Sequence, residues 1–157
     1  MPRSRDAGPF QIHAFVPAHM AELTDLWVAS WARAMPSIDF EARRGWFVDH
    51  LSALRDSGTL AWCAFDASTG AMAGVITLDP AMGLIDQLAV APDMWGRGVA
   101  VALIGTVRQQ AKGPLVLDVN ADNLRAIRFY EREGFRRIGE GVNPNSGLKT
   151  WHYVLDA

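Results

Sequence analysis

The chain has 157 residues, half of them hydrophobic and a fifth charged, with a formal net charge of -2. That composition belongs to one ordinary folded domain, and a chain of this length buries roughly 70% of its unfolded surface without a staple. The charge balance gives no footing for a nucleic-acid partner, and the single cysteine, Cys63, excludes an internal disulfide and a thiolate metal cluster.

Residues 1–8 are polar, carry Arg3, Arg5 and Asp6, and lead into no apolar core of a secretory signal, so a frayed start is expected. Phe10, Ile12 and Ala14 alternate with Gln11 and His13, which predicts a first strand. Pro17 opens a helix in which Leu23, Trp27, Ser30, Trp31 and Ala34 fall at helical spacing, and Pro36 ends it. A second helix is expected from Phe40 to Arg55, with Trp46, Phe47 and Leu51 inward and Gly58 closing it. Strands follow over Leu60–Asp66 and Ala71–Leu78, flanking the turn-forming Ala67–Gly70. Cys63 lies inside the apolar run of the first, where a buried, inert thiol is expected. The next strand is expected over Leu84–Val90, stopped by Pro92.

Helix resumes with Val99, Leu103, Ile104, Val107 and Ala111 on one apolar stripe, and Gly113-Pro114 breaks it. Its longest uncharged stretch, Val99 to Val107, is far short of the roughly 20 residues of a membrane span. A buried strand over Leu115–Val119 and a helix over Asp122–Glu133 come next, with Gly134-Phe135 reading as the helix C-cap. Phe135–Gly141 and Thr150–Leu155 read as the last two strands, joined by the turn-rich segment Asn143–Gly147. This order describes a mixed α/β sheet with hairpins and local parallel pairing. One soluble, cytoplasmic domain over residues 1–157 is expected, with no membrane partner.

The segment Trp95-Gly96-Arg97-Gly98-Val99-Ala100 joins a strand to a helix start. The first amides of a helix lack internal partners and face the positive end of its dipole, so they favour an anion. Gly96 and Gly98 let that anion approach the backbone, and Ala100 keeps the next position small. Val101 stands where a dinucleotide fingerprint needs its third glycine, and the Gly-Lys-Ser/Thr of a P-loop is absent. Alone, the turn is either an anion site or a tight connection without a ligand.

Two motifs in order give it context. Leu88-Ala89-Val90-Ala91-Pro92 precedes the glycine turn, and Asn123, Ala126, Phe129-Tyr130, Glu131 and Gly134-Phe135 follow at the spacing of a second motif. In this the chain resembles the GCN5-related N-acetyltransferases, most closely from Asp86 to Gly139. The resemblance implies a mixed, mostly antiparallel sheet of about seven strands flanked by about four helices, an α+β arrangement. It also implies acetyl-CoA as co-substrate and no metal. Cofactor contacts would come from Leu88, Ala89, Val90, Gly96, Arg97, Gly98, Val99, Ala100, Val101, Asn123 and Tyr130. The Val90 amide would polarise the acetyl carbonyl, and Tyr130 would protonate the departing thiolate. One position departs from the family pattern: Trp95 stands where glutamine or arginine is usual.

Asn123, Ile127 and Tyr130 share one helix face, so Tyr130 is either a half-buried structural tyrosine or a cleft residue. Asp86 falls on a strand face with Leu88 and Val90. It is either a base for an acceptor ammonium or a strand-end aspartate bonded to solvent. His13, His19, His50 and His152 show no ligand spacing, so no metal site is expected. Residues 95–140 carry eight basic and five acidic side chains, against four and six over residues 17–60. A positive donor half suits a polyanionic cofactor and a slightly acidic half suits a cationic amine. Trp27, Trp31 and Trp46 are either core or the wall of an acceptor pocket, and the segment Gly141–Gly147 is expected to meet the acceptor or a second subunit, as in a homodimer. The expected activity is acetyl transfer to a primary amine of a small molecule, peptide or protein. The alternative is a module that binds acyl-CoA without catalysis.

Overall fold

The alternating run at the start and the apolar runs after Gly58 become neighbours in one antiparallel sheet in the computed structural model, which describes residues 6–7 and 9–157. Most of the stretch expected to be frayed lies outside the described residues, but Asp6–Ala7 (β1) pairs with Phe10–Ala14 (β2). The sheet continues through Leu60–Asp66 (β3), Met72–Leu78 (β4) and Leu88–Val90 (β5), each antiparallel to the last. A second antiparallel sheet has the order Leu115–Asn120 (β6), Lys149–Leu155 (β8), Arg136–Val142 (β7). The expected α+β architecture is present: among the described residues are the seven anticipated strands and the short β1, with four α-helices.

Every residue of β4 is buried, because both its faces are covered. One face meets Met20–Ala34 (α1) and Arg44–Asp56 (α2), whose Leu23, Phe47 and Leu51 are fully buried with Val75. The other meets Val99–Gln110 (α3), whose Val99, Leu103, Ile104 and Val107 pack with Ile76 and Leu78. Gly74 is what seats α3. A Cβ there would come within 2.9 Å of Val99 and 3.1 Å of Leu103. The second sheet carries Leu124–Arg132 (α4), which turns Ile127 and Tyr130 inward against Phe135.

The two sheets meet at one place and then part. Ile85 N donates to Val116 O (2.9 Å) and Val116 N to Gly83 O (2.9 Å), around a lone parallel bridge between Leu84 and Val116. Only glycine fits at position 83, where φ is +71° and a Cβ would lie 2.1 Å from the Pro114 carbonyl oxygen. The parallel pairing expected from the strand–helix–strand order is thus reduced to this bridge. The strand expected over Leu84–Val90 is confined to Leu88–Val90, because the chain at 83–85 changes partner from β4 to β6. Beyond the bridge β5 pairs only with β4 and β6 only with β8, leaving a wedge between them.

Candidate active site

That wedge opens into a cleft of about 1000 Å³. Its first wall is the free edge of β5. Ala91 N donates to Ala73 O (2.8 Å) and Thr77 N to Gln87 O (3.0 Å). Bonded pairs alternate in an antiparallel ladder, so Ala89 closes onto Val75 while the backbone groups of Leu88 and Val90 face away from β4, into the gap. An unpaired strand edge is ordinarily a liability; here it lines a cleft.

The glycine turn continues this wall. Gly96 and Gly98 hold φ of +78° and +88°, and nothing lies within 4 Å of where a Cβ would stand at either. Gly98 is the N-cap of α3 and gives it no side-chain cap; Ala102 N bonds back to Gly98 O at 3.1 Å. The amides of Val99, Ala100 and Val101 therefore have no partner within the helix and lie at the cleft. These residues fit a diphosphate: an open cradle, free amides and a helix N-terminus. Arg125, Arg128 and Arg132 of α4 add positive charge to the lining. Arg97 does not line the cleft. Its charge instead helps hold the Asp66 carboxyl below the usual range, behind the larger effect of hydrogen bonds from Ser68.

Trp95 explains its own departure from the family pattern. Its indole N–H donates to the Val90 carbonyl (2.8 Å), taking up an acceptor on the free edge of β5. The guanidinium groups of Arg125 and Arg33 both lie over its ring, 4.2 Å and 5.5 Å from the centroid. An aromatic face held by two cations ties the turn to α4 and to α1. Position 95 thus keeps a cationic environment although the residue itself carries no charge.

Asn123 is the N-cap of α4, its side-chain oxygen accepting from Ala126 N (3.3 Å), so the helix begins at Leu124 rather than Asp122. Asn123 and Tyr130 line the cleft. The chain's two tyrosines are differently placed. Tyr153 donates to Glu131 (2.8 Å) and accepts from Arg137 (3.4 Å). Tyr130 is 8% exposed, its ring edge-on to Phe129 and Phe135, and its hydroxyl has no hydrogen-bond partner among the described residues. Burial pushes the Tyr130 phenol well above the ordinary tyrosine range, which keeps it protonated.

The opposite end of the cleft is built from α1, α2, the segment before β5 and the turn 143–145. Trp46 was expected inward with Phe47 and Leu51; it is 36% exposed and stacks on His50 (4.5 Å, 13°), one helical turn on. Trp27 is core, stacked on Phe47, whereas Trp31 lines the cleft. Asp86 also lies in the lining, and His50 Nε2 is 2.7 Å from its Oδ1. His152 Nδ1 similarly pairs with Asp118 Oδ1 across the β6–β8 register. No spacing in the sequence pairs these histidines with their carboxylates, because the partners are 36 and 34 residues apart. Cys63 is fully buried and its thiol is pushed up to about 12 by desolvation, as expected of an inert side chain. Among the described residues, no group of three or more His, Cys, Asp or Glu is placed to hold a metal ion, and no helix is long and apolar enough to cross a membrane.

The free edge of β5, the glycine-capped α3 and Tyr130 thus line one cleft. Residues 16–135 match the Acetyltransferase (GNAT) family, and the chain belongs to it. Over 68 residues it is 34% identical to a mycothiol acetyltransferase of Rhodococcus opacus (strain B4), a match covering 41% of this chain and 22% of that relative. Its fold is shared with a GCN5-related N-acetyltransferase from Rhodopseudomonas palustris (TM-score 0.74, 23% identity, 93% and 94% of the two chains). It is shared also with the PaiA N-acetyltransferase of Thermoplasma acidophilum, solved with coenzyme A (TM-score 0.71, 16% identity, 94% and 99%).

Proposed function

We propose that the chain moves an acetyl group from acetyl-CoA directly to a primary amine of a small molecule, peptide or protein. One observation carries this reading: the free edge of β5, the unpartnered amides of α3 and the unpartnered Tyr130 hydroxyl line one cleft. Acetyl-CoA supplies an activated thioester, and every other contribution comes from the chain.

The amides of Val99 to Val101, with Gly96 and Gly98 leaving room, hold the diphosphate, and Arg125, Arg128 and Arg132 add charge along its path. The Leu88 and Val90 amides on the free edge bind carbonyl oxygen, the Val90 N–H stabilising negative charge on the acetyl oxygen as the amine attacks. Tyr130 donates its proton, or a strong hydrogen bond, to the departing sulfur. Because burial raises its phenol, the hydrogen bond dominates over full transfer to a thiolate with a pKa of about 8.5. At the far end the Asp86 carboxylate lies in the lining and attracts the acceptor ammonium, which must lose a proton before it attacks. A direct transfer needs no protein nucleophile, which agrees with the inert Cys63.

The test is release of free thiol from acetyl-CoA in the presence of a panel of primary amines. Acceptor-dependent release with formation of the acetylated amine is the expected result. Binding of coenzyme A by calorimetry without any such release would make the protein a binding module instead.

A further inference from the structure

The His50–Asp86 pair has a geometry that assigns its proton. Asp86 Oδ1 takes two contacts: His50 Nε2 at 2.7 Å and the Gln87 side-chain amide at 2.8 Å. The other end of that amide, Gln87 Oε1, accepts from Trp27 Nε1 at 3.0 Å. Trp27 is buried in the core under α1, so the relay Trp27–Gln87–Asp86 is anchored at its inner end. An ionised carboxylate only accepts hydrogen bonds, so the proton between His50 and Asp86 sits on Nε2. The ring is held a second time by its stack on Trp46. Nδ1 is then the nitrogen with a free lone pair, and it has no partner among the described residues. The side chains of His50 and Asp86 are 28% and 26% exposed, and both line the cleft. The other pair, His152 with Asp118, is 41% and 55% exposed and has no aromatic stack.

We infer that His50 is the base that deprotonates the acceptor ammonium, through Nδ1, and that Asp86 is a positioning residue that fixes the ring and balances its positive charge. The inference rests on the amine-acetyltransferase reading above. An N–H bond of the ammonium breaks and its proton goes to Nδ1, leaving an imidazolium beside the Asp86 carboxylate. The freed nitrogen lone pair forms the C–N bond as the C–S bond breaks, and that electron pair leaves on sulfur. Of the two protons the nitrogen loses in all, one ends on the thiol and one passes from His50 to solvent. An imidazole suits this task better than a carboxylate, because general bases work best when their proton affinity lies near the working pH. Histidine is the side chain that changes charge between about pH 5 and 8.

The experiment uses the full chain, acetyl-CoA and the primary amine that gives the most acceptor-dependent thiol release. His50→Gln keeps an amide N–H for Asp86 and removes the base. It is expected to lower kcat by ~10²–10³-fold, to leave KM for acetyl-CoA within about twofold, and to abolish the acid limb of the pH profile. Asp86→Asn is expected to cost less, on the order of tenfold in kcat with KM for acetyl-CoA unchanged, because it leaves the base in place but holds the ring less well. The other titratable groups lining the cleft are Asp118 on β6 and Arg125, Arg128, Tyr130 and Arg132 on α4, and both variants leave them in place. Long-range ¹⁵N–¹H NMR of the wild type at pH 8 gives a readout independent of catalysis: His50 is expected as the Nε2–H tautomer. The Nδ1–H tautomer, wild-type kcat in His50→Gln, or an Asp86→Asn loss as large as that of His50→Gln would each overturn the assignment. A protein that acetylates the amine but ignores His50 loses this inference alone. One that releases no thiol with any amine loses the acetyltransferase reading with it.

Discussion

On one wall of the cleft the chain presents backbone: the free edge of β5, two glycines with positive φ, and the unpartnered amides at the head of α3. On the other it presents side chains: Trp31, Trp46, His50 and Asp86, delivered by α1, α2 and the segment that leaves the sheet junction. In the proposed reaction the first wall recognises features common to every acyl-CoA, an amide-bearing arm and a diphosphate. Backbone groups suffice for that, and no side-chain substitution removes them. In the same proposed reaction the second wall faces the acceptor, and there the residues carry shape, charge and basicity. The difference predicts that damage to the backbone surface shows in donor binding, and damage to the second wall or to the Tyr130 hydroxyl shows in turnover or acceptor use.

The largest effect is expected from Gly98→Glu. The position holds φ of +88°, a conformation costing a non-glycine residue roughly 1–2 kcal/mol, and a carboxylate there would oppose a diphosphate. Coenzyme A binding by calorimetry should weaken by at least ~100-fold, with the fold retained by circular dichroism. Affinity within a few-fold of wild type would mean that the diphosphate does not lie at this turn. Next comes Tyr130→Phe, which removes one oxygen from a ring held by Phe129 and Phe135. A loss of about 10²-fold in kcat is expected, the low end for a lost acid because the phenol acts chiefly through a hydrogen bond, with coenzyme A affinity unchanged. Because burial raises the phenol, Tyr130 stays protonated past the ordinary tyrosine range near pH ~10. The alkaline limb of wild-type activity should therefore not fall below that pH on its account, and a limb near pH 8 that vanishes in Tyr130→Phe would refute the assigned protonation.

The same division decides what could be read from the sequence. The donor wall is local: Trp95 to Ala100 are contiguous, and Asn123 and Tyr130 belong to one cap and one short helix. Motif and helical spacing were enough to bring them together. The acceptor wall is tertiary. Trp27 and Gln87 are 60 residues apart, and His50 reaches Asp86 only because α2 packs over the end of the sheet. No periodicity encodes that meeting. Alternation also extended the strand back to Leu84, since it registers a repeating face and not the change of partner at Gly83–Ile85. Trp95 was visible as a departure, but where its indole N–H goes depends on an unpaired Val90 carbonyl that exists only because the sheets part.

A smaller effect separates the walls from the acceptor side. Trp46→Ala removes the stack on His50 and a large exposed face of the cleft while sparing the buried Phe47 beside it. A stacked aromatic pair is worth about 0.5–1.5 kcal/mol, so with the base held less well kcat/KM for the amine should fall by about 2–10-fold with coenzyme A affinity unchanged. An equal loss of coenzyme A affinity would show that Trp46 supports both walls.

The smallest effect tests whether charge adds to the donor wall or merely surrounds it. Arg132 lines the cleft on α4, whereas Arg97, inside the glycine turn itself, does not. Motif position alone would rank Arg97 the more important; placement reverses the order. An exposed charge pair contributes about 0.2–1 kcal/mol, so Arg132→Ala should weaken coenzyme A binding by about 1.5–5-fold. The difference should shrink in 0.5 M salt, where exposed charges are screened within a few ångströms. Arg97→Ala should leave binding unchanged at either ionic strength, because that position contributes its backbone and its side chain does not line the cleft. Titration of both variants at two salt concentrations separates the cases. A larger, salt-sensitive loss in Arg97→Ala would mean that the turn works through its side chain and that the donor wall is not the backbone surface described.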